Sequence, residues 1–340
     1  LEKSMETEAI QNFKKNIISI GRLLWEKNLV TGLNGNISRR ADEETILLTG
    51  HGACLGLLQE KDILPMNLDG ELLEEGAGSI STERLLHTQI YKNFPETVAV
   101  VHTHTTYTNA YFLANETLIP KVFESKMYLG EIRSVDQVTP AVTDAAPVIK
   151  ALQSNNITVL RNHGVVAKGE DLFDCFLLIQ ALEEAVAVDA ISRLYAQNPG
   201  EKTQNKEQAG ASSETKKYKL FSQEQIDDIV KIVNNDQQMK ELGAKTKMTM
   251  DLAVQLEETG ATYSFSFEDG RIANVGNDTG AEFLISAPEN IWRAVFNREI
   301  DPFVATTQKK MNLKGDFAKI SKWYAPCSRI FELWGEVPVE

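Results

Sequence analysis

Three histidines in the first half of the chain have the spacing of metal ligands. His102 and His104 are separated by one residue, so on a β-strand their imidazoles point to the same face. His163 follows a second apolar segment, residues 158–160, and precedes Gly164. Three imidazoles and one open position form a catalytic Zn²⁺ site, and such donors also bind Mn²⁺, Co²⁺ or Fe²⁺. The pattern indicates a metal centre, although histidines at strand ends are also found as ordinary core or surface residues.

Glu83 is the carboxylate that could add acid–base chemistry to such a metal. It follows Ser81 and Thr82 at the start of a helix predicted over residues 83–94. It could be a fourth ligand in the resting site and exchange a proton with the substrate after leaving the metal. The helix dipole alone also favours a glutamate in the first turn. His87 lies one turn further on the same helix face, where a packing or supporting role is more common than metal binding.

Two polar turns and this helix start offer hydrogen-bond donors for an anion. The turns read Gly-Asn-Ile-Ser over residues 35–38 and Thr-Gly-His-Gly over residues 49–52. Together with Ser81 and Thr82 they supply backbone N–H groups, hydroxyls and an amide, which are donors that bind a phosphate monoester. Each turn by itself is common, and His51 fits an exposed turn as well as a phosphate contact.

Hydrophobic spacing predicts the elements that must position these residues. Helices are predicted over residues 6–28, 83–94 and 172–195, and short strands over residues 44–48, 98–101, 158–160 and 165–167. Residues 31–38 are interpreted as a turn-rich segment. The mixture predicts an α/β domain over residues 1–197.

Composition divides the chain at residues 198–217, which read NPGEKTQNKEQAGASSETKK. This segment lacks aromatic and β-branched apolar residues, which is typical of a flexible linker. The second domain, residues 218–340, is predicted to be a small α+β domain with a curved antiparallel sheet. Its predicted elements are a helix over residues 223–234, strands over residues 246–257 and 282–286, a hairpin turn at residues 268–270 and a helix starting near residue 286. It carries no acid–base or metal set, so a binding or assembly role is expected.

Charge and cysteine content limit the partners and the compartment. The chain of 340 residues has a net charge of −13, which would repel the phosphate backbone of a nucleic acid. It contains no run of about 18 uncharged apolar residues and no basic-then-apolar start, so neither a transmembrane helix nor a secretory signal is expected. Three sparse cysteines, Cys54, Cys175 and Cys327, favour free thiols in a reducing, cytoplasmic environment.

The order and spacing of these motifs over residues 8–197 resemble the class II aldolase and adducin family, and in particular its L-fuculose-phosphate aldolases. The resemblance implies a three-layer α/β/α fold with a central, largely antiparallel sheet, assembled as a homotetramer with sites between neighbouring subunits. It implies that Zn²⁺ binds to His102, His104 and His163, with Glu83 as catalytic acid/base and fourth ligand. It also implies that the substrate phosphate is held by Asn36, Thr49, Gly50, Ser81 and Thr82.

The reaction that the resemblance implies is metal-dependent aldol cleavage or formation of a C–C bond in a phosphorylated ketose. A metal-stabilised enediolate would be the intermediate and dihydroxyacetone phosphate a product. Epimerases of the family carry Asp where this chain has Glu83, which favours an aldolase. Dehydratases and decarboxylases keep the metal histidines and stay open as alternatives, as does a lipid-binding or scaffold protein with a vestigial aldolase domain. The expected tyrosine proton donor falls in residues 120–131, where Tyr128 and Glu124 are the candidates.

Residues 220–340 resemble a sterol carrier protein 2 (SCP2) domain. The resemblance depends on the strand pattern and on the segments Ser-Ala-Pro-Glu-Asn-Ile-Trp (286–292), Asp-Pro (301–302) and Leu-Lys-Gly-Asp (313–316). It implies a hydrophobic tunnel for an acyl chain or another apolar ligand. The side chains that could line it, or simply form a core, are Met248, Met250, Phe265, Phe283, Trp292, Phe296, Phe303, Trp323 and Trp334.

Overall fold

The computed structural model describes residues 2–74, 78–196, 216–316 and 323–340, with side chains from residue 8 onward. Residues 198–215 of the predicted linker lie outside the described residues. The chain divides into two compact units, Leu1–Lys202 and Thr203–Glu340.

An eight-stranded sheet forms the centre of the first unit. Its strands in chain order are β1 (Asn36–Arg40), β2 (Thr45–Thr49), β3 (Ile63–Asn67), β4 (Ala99–Thr103), β5 (Thr117–Leu118), β6 (Ile132–Asp136), β7 (Ile157–Arg161) and β8 (Gly164–Gly169). They lie in the order β3-β2-β1-β4-β8-β7-β6-β5. Among these strands only β6 and β7 are parallel neighbours, so the sheet is largely antiparallel, as the family resemblance implies.

Helices cover both faces of this sheet. They are α1 (Glu2–Glu26), α2 (Arg84–Asn93), α3 (Thr106–Ala114), α4 (Phe123–Leu129), α5 (Ala146–Ser154) and α6 (Leu172–Ala196), with short 3₁₀ turns at Leu55–Leu57 and Glu60–Asp62. One buried cluster joins α1, α3 and α6 to the sheet, and a second joins α2 and α5 to its other face. This is the predicted three-layer α/β/α arrangement.

Strand β4 is buried along its whole length because both faces of the sheet are covered. Successive side chains point to opposite faces, so Ala99 and Val101 join the cluster of α1, α3 and α6, whereas Val100 joins that of α2 and α5. His102 is two residues beyond Val100 and therefore lies on the α2 and α5 face. The same alternation that builds the core thus places the first predicted ligand.

The second unit contains a five-stranded sheet and five described helices. The strands are β9 (Met250–Leu256), β10 (Thr262–Glu268), β11 (Arg271–Gly276), β12 (Phe283–Ala287) and β13 (Asn312–Lys314). The helices are α7 (Gln223–Asn235), α8 (Gln237–Thr246), α9 (Glu289–Phe296), α10 (Pro302–Thr307) and a last helix, α11 (Tyr324–Trp334). This unit is an α+β domain. The predicted antiparallel sheet is wrong at one pairing, because β12 lies beside β9 in the parallel direction, whereas the other pairings are antiparallel.

Local predictions differ from the structure in two places. The strand predicted over residues 246–257 begins only at Met250, because α8 continues to Thr246 and Lys247 then turns the chain with a φ of 49°. The segment predicted as turn-rich over residues 31–38 contains the start of β1. Pairing with both β2 and β4 provides its hydrogen bonds despite the Gly and Asn content.

The three cysteines carry free thiols. Across the described ranges, none of the helices combines the length and the apolar character that a membrane span requires.

Candidate metal centre

The three predicted histidine ligands meet in one cluster. The ring centroids are 4.9 Å apart for His102 and His104, 4.7 Å for His102 and His163, and 4.8 Å for His104 and His163. One ring nitrogen from each histidine lies within 4.8 Å of the others. Residues that are 61 positions apart in the chain are therefore brought together because β4 and β8 are paired.

A hydrogen bond fixes the orientation of the His102 ring. Its Nδ1 lies 2.9 Å from the carbonyl oxygen of Val165, and a carbonyl can only accept, so Nδ1 carries the proton. The Nε2 lone pair then points to His104 Nε2, at 3.0 Å. Two nitrogens bound to one tetrahedral ion with bonds of ~2.0–2.1 Å are roughly 3.3 Å apart, so this pair is close to the required spacing.

The tight turn between β7 and β8 presents His163. Asn162 adopts a left-handed conformation with a φ of 65°, which asparagine tolerates better than most residues. At Gly164, a Cβ atom would collide with the carbonyl oxygen of Thr103 and lie 2.9 Å from His104 Cδ2. Glycine at this position therefore allows the turn to approach the other two histidines.

Burial keeps the imidazoles neutral. It lowers the pKa of His102 and His104, and it lowers the pKa of His163 to about 4; neighbouring histidines lower the pKa of His102 and His163 further. A neutral imidazole is the form that binds a metal. The Nδ1 of His163 is buried and has no hydrogen-bond partner within the described residues. Donor type, spacing and protonation thus fit a divalent metal ion.

Glu83 lies at the edge of the histidine cluster. Its Oε1 is 3.9 Å from His163 Nε2, which is too long for a hydrogen bond, and the neutral imidazole makes no ion pair. The carboxylate accepts from the backbone N–H of Val142 at 3.3 and 3.4 Å. Burial raises the pKa of Glu83, although the Val142 contact opposes the rise. The group of possible ligand atoms that lie within 4.8 Å of one another contains the three histidines but not Glu83. The role of Glu83 as a metal ligand therefore stays a prediction.

Two of the segments predicted to bind phosphate are adjacent, and one of them lies beside the histidine cluster. Asn36 is paired with His102 across β1 and β4. Thr49 accepts a hydrogen bond from the N–H of Ile37 at 3.0 Å, which joins the two turns. The side chains of Asn36 and Thr49 are both buried.

The remaining phosphate candidates lie on the adjoining loops. The Gly50 N–H donates to the Asp62 carbonyl at 2.8 Å, so this N–H already has a partner. The Ser81 hydroxyl accepts from the Glu83 N–H at 3.2 Å, and Thr82 is exposed. Helix α2 begins at Arg84, so Ser81 and Thr82 precede it rather than form its first turn. Phosphate binding by these residues stays a prediction.

His87 is not part of the histidine cluster but contacts β1. Its Nδ1 lies 2.6 Å from Ser38 Oγ and its Nε2 lies 2.5 Å from Asn36 Oδ1. Ser38 Oγ is also 2.9 Å from the Tyr91 hydroxyl. His87 thus contacts the side chains of two β1 residues, and its supporting role stays a prediction.

Glu183 supports the cluster from the opposite helix layer, which the sequence analysis did not anticipate. This buried carboxylate accepts hydrogen bonds from α3, the helix that follows His104. From the same helix, Asn109 Nδ2 donates to the His163 carbonyl at 3.2 Å. The signal available in the sequence was a glutamate inside the most apolar helix. A carboxylate is buried in such a helix only when it has hydrogen-bond or charged partners.

The proton-donor candidates Glu124 and Tyr128 lie one turn apart on α4, and both are exposed. Their catalytic role stays a prediction.

Two family models match the chain. The class II aldolase and adducin N-terminal domain matches residues 15–189, more than half of the chain. The SCP-2 sterol transfer family matches residues 229–326.

Relatives with different reactions are similar to the first unit. An L-fuculose phosphate aldolase from Methanocaldococcus jannaschii is 32% identical over 181 residues, which span 53% of this chain and 97% of that protein. A 3-oxo-tetronate 4-phosphate decarboxylase from Haemophilus influenzae is 32% identical over 181 residues, spanning 50% and 83%. The crystal structure of an L-fuculose-1-phosphate aldolase from Thermus thermophilus matches with a TM-score of 0.50 and 26% identity, covering 56% of this chain and 98% of that one.

In the second unit, the aromatic and methionine residues predicted to line a tunnel pack against one another. Trp292 lies 6.0 Å from Phe296 and 5.9 Å from Trp334 between ring centroids, and Phe303 packs at the edge of this core. A separate open groove of about 320 Å³ is lined by residues of α7 and α11 and by the residues that follow these helices: Lys231, Ile232, Asn235, Asp236, Leu333 and Glu336. The aromatic contacts around Trp292 form a hydrophobic core, and binding of an acyl ligand by these side chains stays a prediction.

Proposed function

Because this chain belongs to the class II aldolase and adducin family, we propose that its histidine cluster binds Zn²⁺ and that the protein is an aldolase. The proposed reaction cleaves or forms a C–C bond in a phosphorylated ketose, with dihydroxyacetone phosphate as one product. The observation that carries the proposal is the convergence of His102, His104 and His163 beside the buried carboxylate of Glu83. Three neutral imidazoles leave a coordination position for substrate oxygens.

Glu83 is proposed to move the proton at the reacting carbon. A cation bound by the three histidines would stabilise the negative charge that develops on the carbonyl oxygen as the C–C bond breaks. As the C–C bond breaks, the hydroxyl group of the departing carbon gives its proton to a base, for which Glu124 and Tyr128 are the candidates, and becomes the aldehyde. The electron pair of the broken bond stays on the carbon beside the first carbonyl, and protonated Glu83 supplies the proton that completes dihydroxyacetone phosphate. In the condensation direction, the Glu83 carboxylate removes the same proton. Burial, which raises the pKa of Glu83, helps the carboxyl group to carry a proton nearer neutral pH.

The residues around Asn36 are proposed to hold the substrate phosphate. Asn36 is next to His102 in the sheet, so a phosphate at this position would place the adjacent carbons at the metal ligands. Thr49 and Gly50, with Ser81 and Thr82, complete the proposed set. Support comes from the named substrates of the relatives, which are phosphorylated.

A second candidate reaction is decarboxylation. The decarboxylase from Haemophilus influenzae is as similar in identity as the aldolase relative, although a smaller share of its length is covered. Both reactions create negative charge beside a carbonyl, so one metal site could serve either. Product analysis separates them, because decarboxylation releases CO₂ and aldol cleavage releases two carbon fragments. A dehydratase would release neither.

Replacement of Glu83 by glutamine tests the proposed proton transfer. The Glu83→Gln variant should lose at least about 100-fold in turnover, in the range of general acid–base catalysis, while its metal content stays equal to wild type. Glu43→Gln, which alters an exposed glutamate, is the matched control. Full activity in Glu83→Gln with normal metal content would remove Glu83 from the mechanism.

For the second unit, we propose binding of an acyl chain or another apolar ligand. The SCP-2 family match and the fully buried aromatic cluster around Trp292 support this proposal. A fluorescent fatty acid titrated into the full chain should bind with one site, and Trp292→Ala should weaken the binding. Failure of several chain lengths to bind would leave the unit with an assembly role.

We also propose that the chain forms a homotetramer. The described part of α6 carries exposed apolar side chains, among them Phe173, Ile191, Leu194 and Tyr195, which are suited to a subunit interface. Light scattering of the purified full chain measures the assembly directly.

A further inference from the structure

The orientation of one carboxamide decides whether the proposed phosphate position attracts or repels an anion. Asn36 and His102 are directly paired across β1 and β4, so their side chains share a face, with Cβ atoms about 4.5–5.5 Å apart. The Asn36 carboxamide therefore lies beside the proposed metal ligands. Its Nδ2 end donates hydrogen bonds and suits a phosphate, whereas its Oδ1 end would repel one.

A buried chain of hydrogen bonds contacts this carboxamide at its oxygen end. His87 Nε2 lies 2.5 Å from Asn36 Oδ1, and His87 Nδ1 lies 2.6 Å from Ser38 Oγ. Ser38 Oγ lies 2.9 Å from the Tyr91 hydroxyl. His87, Ser38 and Tyr91 are each 1% exposed or less. Water therefore does not compete for these contacts.

The donor and acceptor of each hydrogen bond in this series follow from the group at one end, the Asn36 carboxamide oxygen. Asn36 Oδ1 has no hydrogen, so His87 must donate from Nε2. Burial lowers the pKa of His87 to about 3, so the ring is neutral and carries only that one proton. His87 Nδ1 therefore accepts from the Ser38 hydroxyl, and Ser38 Oγ in turn accepts from Tyr91. The alternative acceptor for Tyr91, the Val98 carbonyl, is further away at 3.4 Å.

We propose that His87, held by Ser38 and Tyr91, is a positioning residue that keeps the Nδ2–H group of Asn36 directed at the substrate phosphate. No described residue accepts a hydrogen bond from Asn36 Nδ2, so this donor is available to a ligand. The inference rests on the proposed function, because it assigns a task to the phosphate-binding part of that site. His87 itself touches neither substrate nor metal in this account.

A positioning role and a merely structural role for His87 make different predictions. If His87 acts through Asn36, its removal lowers phosphate affinity only while Asn36 is present. If His87 only stabilises the packing of α2 on the sheet, its removal has the same effect in either background. A double-mutant cycle measures this difference.

The experiment titrates inorganic phosphate into the metal-loaded full chain by ³¹P NMR. The proteins compared are wild type, His87→Leu, Asn36→Ala and the double variant. We expect the Kd for phosphate to rise about 10-fold or more in each single variant, as for the loss of a hydrogen bond to a charged group. The double variant should bind no more weakly than Asn36→Ala. Metal affinity, measured by chelator competition, should stay within about 2-fold of wild type in all four proteins.

Two further variants guard against loss of the fold. In His87→Gln, the amide can still donate to Asn36 Oδ1, so phosphate affinity should stay within a few-fold of wild type. Tyr91→Phe removes only the hydroxyl group that is furthest from Asn36 in the hydrogen-bond series, so it should weaken phosphate binding less than His87→Leu. If His87→Leu does not fold, the result for His87→Gln decides, and a large loss of affinity in this variant would overturn the inference.

The possible failures are distinguishable. If wild type binds phosphate and His87→Leu binds it equally well, the inference is wrong and the proposed function stands. Equal additional losses in the wild-type and Asn36→Ala backgrounds would likewise overturn it. If wild type does not bind phosphate, the phosphate part of the proposed function fails, and the inference fails with it.

Discussion

Glu183 accepts hydrogen bonds from both the backbone N–H and the side-chain hydroxyl of Thr108, at 2.8 and 2.7 Å. A third bond comes from the N–H of Tyr107, also at 2.8 Å. Helix α3 begins two residues after His104, and the side chain of its own N-cap residue, Thr105, makes no capping bond. The Glu183 carboxylate from α6 therefore caps α3 in place of the Thr105 side chain, and it holds the backbone that carries His104.

Replacement of Glu183 should weaken metal binding without touching the ligands. Glu183→Ala leaves two first-turn N–H groups without their acceptor, and hydrogen bonds to a charged group contribute about 1.5–3 kcal/mol. We expect metal affinity to fall about 10-fold or more, with Glu183→Gln between this variant and wild type. Chelator competition measures the affinity.

The neighbouring glutamate provides the control for this prediction. Glu184 lies on the same helix but is exposed, so Glu184→Ala should bind metal like wild type. Equal metal affinity in Glu183→Ala and Glu184→Ala would mean that the cap of α3 does not position His104.

Gly164→Ala should disrupt the centre by steric collision alone. The added methyl group would meet the Thr103 carbonyl and the ring of His104, and a backbone oxygen cannot rotate away. We expect at least about a 10-fold loss of metal affinity. In the control Gly276→Ala, in the second unit, the methyl group would contact a side-chain hydroxyl that can move, so metal affinity should be unchanged. Wild-type metal binding by Gly164→Ala would show that the turn can shift without moving His163.

Metal should stabilise the native protein, and its removal should lower the melting temperature. A ligand at 100 times its Kd stabilises the state that it binds by about 2.7 kcal/mol, which corresponds to a rise in Tm of roughly 5–10 °C for a unit of this size. His163→Ala should lose most of this rise, whereas His51→Ala, which alters an exposed histidine, should keep it. A metal-induced rise of equal size in both variants would contradict the assigned ligand set. Differential scanning calorimetry with and without Zn²⁺ gives the measurement.

Acid should destabilise the metal-free protein partly through His87. Its pKa is about 3 in the folded protein against an ordinary value of 6.5, so between these values the unfolded chain binds a proton that the native protein does not. The free energy of unfolding therefore falls as the pH is lowered from about 6.5 towards 3, by up to about 1.4 kcal/mol per pH unit for this group. His87→Gln lacks this contribution.

Urea unfolding between pH 7 and pH 5 tests the difference. On chelator-treated protein, the stability of wild type should decline more steeply with acid than that of His87→Gln. Parallel pH profiles for the two proteins would mean that His87 is accessible to protons in the folded state.

The sequence predicted the parts of the centre that depend on local spacing. The separation of His102 and His104, and the Gly164 that follows His163, correctly indicated one cluster. Glu83 immediately precedes α2, close to the predicted start of this helix, and its carboxylate lies at the edge of that cluster. The spacing of His102 and His104 can be read from three consecutive residues. The approach of His163 requires only that two apolar strands become neighbours in the sheet.

Contacts between distant segments could not be predicted in this way. The Val142 N–H reaches Glu83 from the loop between β6 and α5, which has no periodic pattern. Strand β1 was missed because Gly35 and Asn36 have low β propensity, and only pairing with β2 and β4 makes the segment a strand. Without β1, the register that places Asn36 opposite His102 was also missed.

Release of dihydroxyacetone phosphate is the measurement that tests the central claim most directly. A coupled assay would follow it over a panel of ketose 1-phosphates, with metal-loaded protein, with chelator-treated protein and after metal is restored. We predict release from at least one member of the panel, its loss with chelator, and its recovery with Zn²⁺. No release from metal-loaded protein with any member of the panel, or release that persists unchanged after the metal is removed, would contradict the proposed metal-dependent aldolase.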